Sequence, residues 1–180
     1  MCAATDDVVV LVSDDGSPIG TAPRQTVHDA ATPLHLAFSL YLRNPDGLVL
    51  MTRRALTKVS WPGVWTNSCC GHLRPGEQAT DAVARRTPDE LGFAVTDARV
   101  VLPDFRYRAT DAHGVVENEL CPVLVAETDA TPSPNPEEVA EFTWVPWATL
   151  VHLARHAPAL LSPWCVAQLR RFGDADPWAR

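Results

Sequence analysis

Two short segments carry the groups best able to do chemistry. In Cys70-Gly71-His72 a thiol and an imidazole stand two residues apart, and in Glu117-Asn118-Glu119 two carboxylates share that spacing. Alternate residues of a strand project to one face, so each segment presents a pair of reactive groups side by side. Acidic pairs on strands are more often solvated faces, and Cys-x-His alone is equally unspecific. The apolar surroundings of the acidic pair (Leu120, Pro122, Val123) place it near a core. His28 and His35 lie seven apart around the turn-like Asp29-Ala30-Ala31-Thr32-Pro33. Three imidazoles (His28, His35, His72) and two carboxylates make a six-coordinate site for a divalent cation, with one position open. Mixed nitrogen and oxygen ligands suit Mn²⁺, Zn²⁺ or Mg²⁺ alike. The other histidines read as bystanders: His152 and His156 face solvent from a helix, and His113 sits in a hairpin turn.

These groups need a scaffold, and the chain supplies signals for one. Val8 to Val12 reads as a strand, followed by a turn at Asp14-Asp15-Gly16-Ser17-Pro18. His35 to Leu42 and Leu48 to Thr52 form a hairpin around Asn44-Pro45-Asp46-Gly47. Arg53 to Trp65 is loop-like, and Thr66 to His72 a short strand. Pro75-Gly76-Glu77 opens an amphipathic helix that runs towards Glu90 and stops at Gly92. Pro88 lies inside it, where a proline costs roughly 3 kcal/mol, so a kink or early end is expected there. Strands follow at Ala94 to Val101, Phe105 to Thr110, Val115 to Ala126 and Val139 to Val145. Two helices close the chain: one beginning near Pro146, the other with Ser162 as cap and Pro163 in its first turn. Strands, helix, strands and two helices specify a mixed α/β or α+β layered domain, not a doubly wound parallel sheet.

Composition narrows the class. At 46% hydrophobic and 21% charged residues, 180 residues suffice for one globular domain. One domain spanning 1–180, with a core of about 8–172, is expected. Asp6, Asp7 and the tail after Phe172 read as solvated ends. No apolar stretch approaches the roughly 18 to 20 residues of a membrane span, and MCAATDDVVV lacks a secretory signal. Five cysteines, two adjacent at 69 and 70, fit no disulfide framework and imply a reducing, cytoplasmic setting. A net charge of −7 excludes a broad nucleic-acid surface; an anionic substrate would need a local basic cluster.

Gly71, Glu77, Arg85-Arg86 and Asp89-Glu90-Leu91-Gly92 are spaced so as to resemble a Nudix box. In that family helix carboxylates hold metal beside a diphosphate. Arg86 stands where hydrolases carry a glutamate, which argues for diphosphate binding without cleavage. Five further segments sharpen the resemblance: Thr52-Arg53-Arg54-Ala55-Leu56, Trp61-Pro62-Gly63-Val64-Trp65-Thr66-Asn67-Ser68, Cys70-Gly71-His72, Asp104-Phe105-Arg106-Tyr107-Arg108-Ala109 and Glu117-Asn118-Glu119-Leu120-Cys121-Pro122-Val123. In order and spacing, from about Val8 to Trp164, the chain is similar to the type I isopentenyl diphosphate isomerases.

That resemblance implies an α/β Nudix-type sandwich and the interconversion of isopentenyl and dimethylallyl diphosphates by a 1,3-allylic proton shift. It assigns the main metal to His28, His35, His72, Glu117 and Glu119, and a second, diphosphate-bound Mg²⁺ to Glu90. It assigns phosphate contacts to Arg24, Arg54, Lys58 and Arg86, with Arg53 either a neighbour or a surface residue. Cys70 and Glu119 correspond to the acid-base pair; because a metal-bound carboxylate is a poor acid, a proton relay through Tyr107, at the substrate, is expected beside them. Trp164 corresponds to the aromatic at the hydrocarbon end, where an indole face stabilises a dry cation by about 2 kcal/mol. Trp61 and Trp65 are expected to pack and close the pocket, and Cys69 to turn into the core. The expected partner is a small prenyl diphosphate bound by a monomer, with no nucleic acid and no membrane. Three alternatives share these features: a Nudix hydrolase of nucleoside diphosphates, a paralogue running another prenyl carbocation reaction, and a binding domain with a structural metal.

Overall fold

The computed structural model describes residues 7–179; Asp6 lies outside them. The first half of the chain forms strands β1 (Val8–Val12), β2 (Pro18–Pro23), β3 (His35–Arg43), β4 (Leu48–Arg54), β5 (Trp65–Thr66) and β6 (Cys69–His72), then helix α1 (Ala79–Leu91). Strands β7 (Arg99–Leu102), β8 (Arg106–Thr110), β9 (Val116–Leu120), β10 (Val123–Glu127) and β11 (Val139–Pro146) follow. Helices α2 (Trp147–His156) and α3 (Pro163–Phe172), joined through a 3₁₀ turn, end the fold. The sheet is mixed, as expected: β3 pairs parallel with β9 and β10, and antiparallel with β1, β4 and β6.

Strand β3 is the spine because it is buried on both faces. Phe38, Leu40 and Leu42 pack with Val83 and Leu91 of α1, whereas Ala37 and Tyr41 pack with Leu150 of α2 and with Trp164 and Leu169 of α3. The period of two divides one apolar run between two cores. Truncating Leu42, fully buried, to alanine costs about 2–5 kcal/mol.

Several boundaries differ from expectation. β2 is missing from the sequence reading because Pro-Ile-Gly-Thr-Ala-Pro has no apolar alternation; it is a mostly exposed edge strand paired with β1. The run expected at Val115 to Ala126 is two strands. Pro122 has no N–H to continue a ladder, and there the chain exchanges its β8 neighbour for β7 while staying beside β3. Thr66 to His72 is likewise divided: β5 pairs with β4 and β6 with β3. Between them Asn67 Nδ2 donates to the carbonyls of Leu40 and Cys69.

The break expected at Pro88 does not occur. Helix α1 continues to Leu91 and ends at Gly92, whose left-handed φ of 81° suits glycine alone. A Cβ there would meet the Ser133 carbonyl oxygen at 2.7 Å. Tertiary bonds hold the last turn against the loss of one backbone bond. Thr87 Oγ1 donates to the Val83 carbonyl and accepts from the Val95 N–H, while Ser133 and Asn135 donate to the carbonyls of Leu91 and Glu90.

The Asp7 side chain is solvent-exposed, as expected, whereas the tail after Phe172 is not a plain solvated end. Asp7 pairs with Arg24. Beyond Phe172, Trp178 is only 9% exposed, donates Nε1–H to the Ala126 carbonyl at 3.0 Å and lies under the Arg43 guanidinium. Ser162 caps α3 by accepting from the Cys165 N–H, with Pro163 in the first turn as expected. No helix among the described residues is long and apolar enough to cross a membrane.

Candidate active site and metal centre

Register along β3 assembles the reactive groups. His35 stands opposite Glu119 of β9, Ala37 opposite His72 of β6, and Ser39 opposite Cys70 of β6. Ser39 also pairs with Val123 on the other flank, so β6 and the β9–β10 segment run on opposite sides of one strand. Cys70 and Glu119 therefore approach from different edges of the spine. Both line one cavity of about 500 Å³, together with His28, His72, Tyr107, Glu117 and Trp164.

At the deep end three imidazoles cluster with centroids 5.0 to 5.2 Å apart. Ligand atoms of His28, His35, His72 and Glu119 all lie within 4.8 Å of one another. His35 is fully buried, and its Nδ1–H donates to the Pro33 carbonyl at 2.9 Å, which leaves the Nε2 lone pair aimed into the cluster. His72 and His35 reach Glu119 Oε1 through Nε2 at 3.3 and 3.7 Å. His28 Nε2 lies 3.1 Å from Glu117 Oε2. Yet His28 Nε2, His35 Nε2 and Glu117 Oε2 have no hydrogen-bond partner despite their burial. Orphaned, convergent nitrogen and oxygen donors are costly to bury without a ligand, and together they fit a divalent cation.

Charge states follow from this packing. Burial works to raise the Glu119 carboxyl, but the facing imidazoles of His35 and His72 prevail and hold it well below the usual carboxylate range. Burial likewise opposes the protonation of His35, and Glu119 more than offsets it; for His72 burial wins and the imidazole titrates lower than usual. The Cys70 thiol is pushed up to about 12, chiefly by burial, against its hydrogen bonds with Ser39 and Asn67. At neutral pH a protonated thiol and an ionised carboxylate thus face one cavity. Cys70 Sγ donates to Asn67 Oδ1 at 3.2 Å, and Tyr107 donates its hydroxyl to Glu119 Oε2 at 2.8 Å.

Trp164 is 2% exposed and oriented by Nε1–H donation to Thr66 Oγ1 at 2.8 Å. Its ring meets Trp61 edge-on and Tyr107 at a tilt, which builds an aromatic wall. Trp61 and Trp65 pack against the same core.

The rim is basic, and most of its cations are already paired with carboxylates. Arg24, Arg54, Lys58 and Arg86 all line the cavity. Arg24 is paired with Asp7 and Lys58 with Glu138. Arg86 reaches Glu90 at 2.5 Å and Glu138 at 3.4 Å. Gly71 lets α1 lie directly on β6: a Cβ there would meet the Phe38 ring at 2.9 Å and Arg86 Cγ at 3.2 Å. Arg53 turns elsewhere, to the Gly63 carbonyl and Glu141. Cys69 faces the core, as expected, and donates to Glu90 Oε2 at 3.2 Å. Burial raises the Glu90 carboxyl despite Arg86. Glu77 faces away from this chemistry, gripped by the Arg85 guanidinium and the Arg74 N–H. His113, His152 and His156 are exposed, as anticipated.

Sequence reasoning missed Glu138, Ser60, Ser39 and Gln168. Glu138 bridges two cations of the rim from the loop before β11, and no local pattern distinguishes it from Glu137. Ser60 donates to Glu117 Oε1 at 2.5 Å. Gln168 Nε2 donates to Ser39 Oγ, which stands 3.6 Å from Cys70 Sγ. Asn67 and Ser68, both fully buried, belong to the Trp61–Ser68 segment.

The NUDIX domain family profile matches residues 33–165. The isopentenyl-diphosphate Delta-isomerase of Cutibacterium acnes is 56% identical over 97% of this chain and 92% of its own length. The isomerase of the same description from Frankia alni is 57% identical over 94% of this chain and 88% of its own. Among solved structures, DR0079 from Deinococcus radiodurans superposes with a TM-score of 0.70 at 19% identity, over 91% of this chain and 98% of that one. The MutT protein from Methanosarcina mazei gives 0.63 at 18%, over 78% and 93%. These two likenesses carry the fold alone; the sequence relatives carry the family. A NUDIX sheet, a deep imidazole-carboxylate cluster and more than half of all residues shared with such enzymes lead to one conclusion: the chain belongs to the isopentenyl-diphosphate Delta-isomerases of the NUDIX family.

Proposed function

We propose that this protein interconverts isopentenyl and dimethylallyl diphosphates in isoprenoid biosynthesis, with Cys70 and Glu119 as the proton-exchanging pair. The observation that carries the assignment is one cavity shared by a protonated thiol and an ionised carboxylate. An isolated alkene is a weak base, and its protonation leaves a tertiary cation that water captures. The reaction needs an acid and a base at the two carbons that flank the cationic centre, and little free water. Between them, Cys70 and Glu119 add one proton to the terminal carbon and remove one from the methylene beside the cationic centre. Charge and atoms balance, and the double bond moves by one position. Tyr107, bonded to Glu119, relays protons to and from that carboxylate and so returns the pair to its starting state. The Trp164 ring covers the cation, and the aromatic wall keeps water from it.

His28, His35, His72, Glu117 and Glu119 are the residues that would hold Mn²⁺, Zn²⁺ or Mg²⁺, and the orphaned donor atoms support this set. A bound cation would supply fixed positive charge that keeps Glu119 in place. Glu90 would hold a Mg²⁺ beside the diphosphate, and Arg24, Arg54, Lys58 and Arg86 would bind its oxygens by charge-assisted hydrogen bonds. Cytoplasmic action as a monomer completes the reading.

Incubation with isopentenyl diphosphate and added Mg²⁺ or Mn²⁺ tests it. The expected result is dimethylallyl diphosphate without phosphate release. Phosphate release without isomerisation would assign the site to hydrolysis instead.

A further inference from the structure

The two carboxylate oxygens of Glu117 have different tasks. Oε2 points at His28 and has no hydrogen-bond partner, whereas Oε1 accepts from the Ser60 hydroxyl at 2.5 Å. Ser60, only 5% exposed, is gripped from the other side. Arg54 Nη2 donates to the Ser60 carbonyl at 2.8 Å and to Oγ at 3.2 Å. Arg54 Nε donates to the carbonyls of Ser60 and Trp61 at 3.1 and 3.2 Å. Trp61 holds a φ of 43°, the one positive value for a residue other than glycine among those described. A bulky side chain rarely takes that region, so the guanidinium holds this turn where backbone preference would not.

Donor chemistry fixes the direction of the chain of bonds. A guanidinium only donates, an ionised carboxylate only accepts, and a hydroxyl has one hydrogen to give. The order is therefore Arg54 to Ser60 to Glu117. Glu117 stands outside the compact group formed by His28, His35, His72 and Glu119, so its place beside them depends on what orients it.

We propose that Ser60 is a positioning residue for the metal centre. It occupies Oε1 of Glu117 so that Oε2 alone faces the imidazoles, and it ties that carboxylate to Arg54 at the diphosphate rim. This rests on the reading of Glu117 as a metal ligand.

The test is titration of Mn²⁺, followed by electron paramagnetic resonance without substrate, into the wild type, Ser60→Ala and Ser60→Thr. Loss of a group that orients a ligand weakens metal by roughly 10- to 100-fold, the loss expected of Ser60→Ala. Ser60→Thr keeps the hydroxyl and should stay close to the wild type. Excess Mn²⁺ should restore the kcat of Ser60→Ala, a rescue that a merely structural defect would not show. Wild-type Mn²⁺ affinity in Ser60→Ala, or an equal loss in Ser60→Thr, would overturn the proposal while leaving the metal site intact. A wild-type protein that binds no Mn²⁺ would remove the metal reading of Glu117, and this proposal with it.

Discussion

The deep end of the cavity and its rim solve opposite electrostatic problems. At the deep end, buried imidazole and carboxylate atoms are held in place yet left without hydrogen-bond partners. At the rim Arg24 is closed by Asp7, Lys58 by Glu138, and Arg86 by Glu90 and Glu138. Arg54 is spent instead on the carbonyls of Ser60 and Trp61. The deep end is preorganised for a cation. A diphosphate at the rim must compete with ion pairs already made. In a chain of net charge −7 that arrangement keeps a basic cluster compatible with an acidic surface.

Chemistry should be separable from rim binding, and the largest effect comes from the cavity. Cys70→Ala is expected to lower turnover by roughly 10²- to 10⁴-fold, the usual worth of a general acid or base. Calorimetry should show inorganic diphosphate binding it as it binds the wild type; equal loss of both would merge the two regions. Glu119→Gln touches both the proton exchange and the proposed metal set. Turnover should fall, and metal content by elemental analysis should fall with it. Unchanged metal content would remove Glu119 from the ligands.

Smaller effects are expected at the rim. Arg86→Gln removes a charge-assisted bond worth about 1.5–3 kcal/mol, which is about tenfold or more in diphosphate affinity. The loss should show in KM more than in kcat and should shrink as salt rises.

Glu77 gives the smallest effect and the sharpest contrast, because it carries a Nudix-box carboxylate outside the chemistry. Burial works to raise its carboxyl, but Arg85 and the Arg74 N–H hold it below the usual value. A lowered folded value contributes stability above the unfolded carboxylate value and loses it as pH falls through the folded one. Glu77→Gln should therefore melt a few degrees lower at pH 7, for about 1 kcal/mol, with near-normal turnover. The difference from the wild type should close below about pH 4. A large loss of activity at pH 7 would place Glu77 in a hydrolase-like metal cluster.

How much was legible depended on how local each signal was. β3 is legible from its apolar stretches Leu36-Ala37-Phe38 and Leu40-Tyr41-Leu42, and the strand period puts Cys70 with His72 and Glu117 with Glu119. Pro88 misled because its cost is local, whereas the bonds through Thr87, Ser133 and Asn135 that offset it arrive from distant residues. Pro122 was decisive in the other direction: it divided one expected strand between two ladders. Glu138 and Ser60 could not be read, because their partners lie 80 and 57 residues away and no periodicity joins them. The tail was misjudged for the same reason, since only the folded core shows a pocket for Trp178.

Deuterium tells most directly whether thiol 70 and carboxylate 119 trade protons with the hydrocarbon. Isopentenyl diphosphate turned over in deuterated water should acquire label in the methyl group of its product, and Cys70→Ala should leave the carbon skeleton unlabelled. Label entering at the wild-type rate in Cys70→Ala, or none entering with the wild type during turnover, would contradict the account.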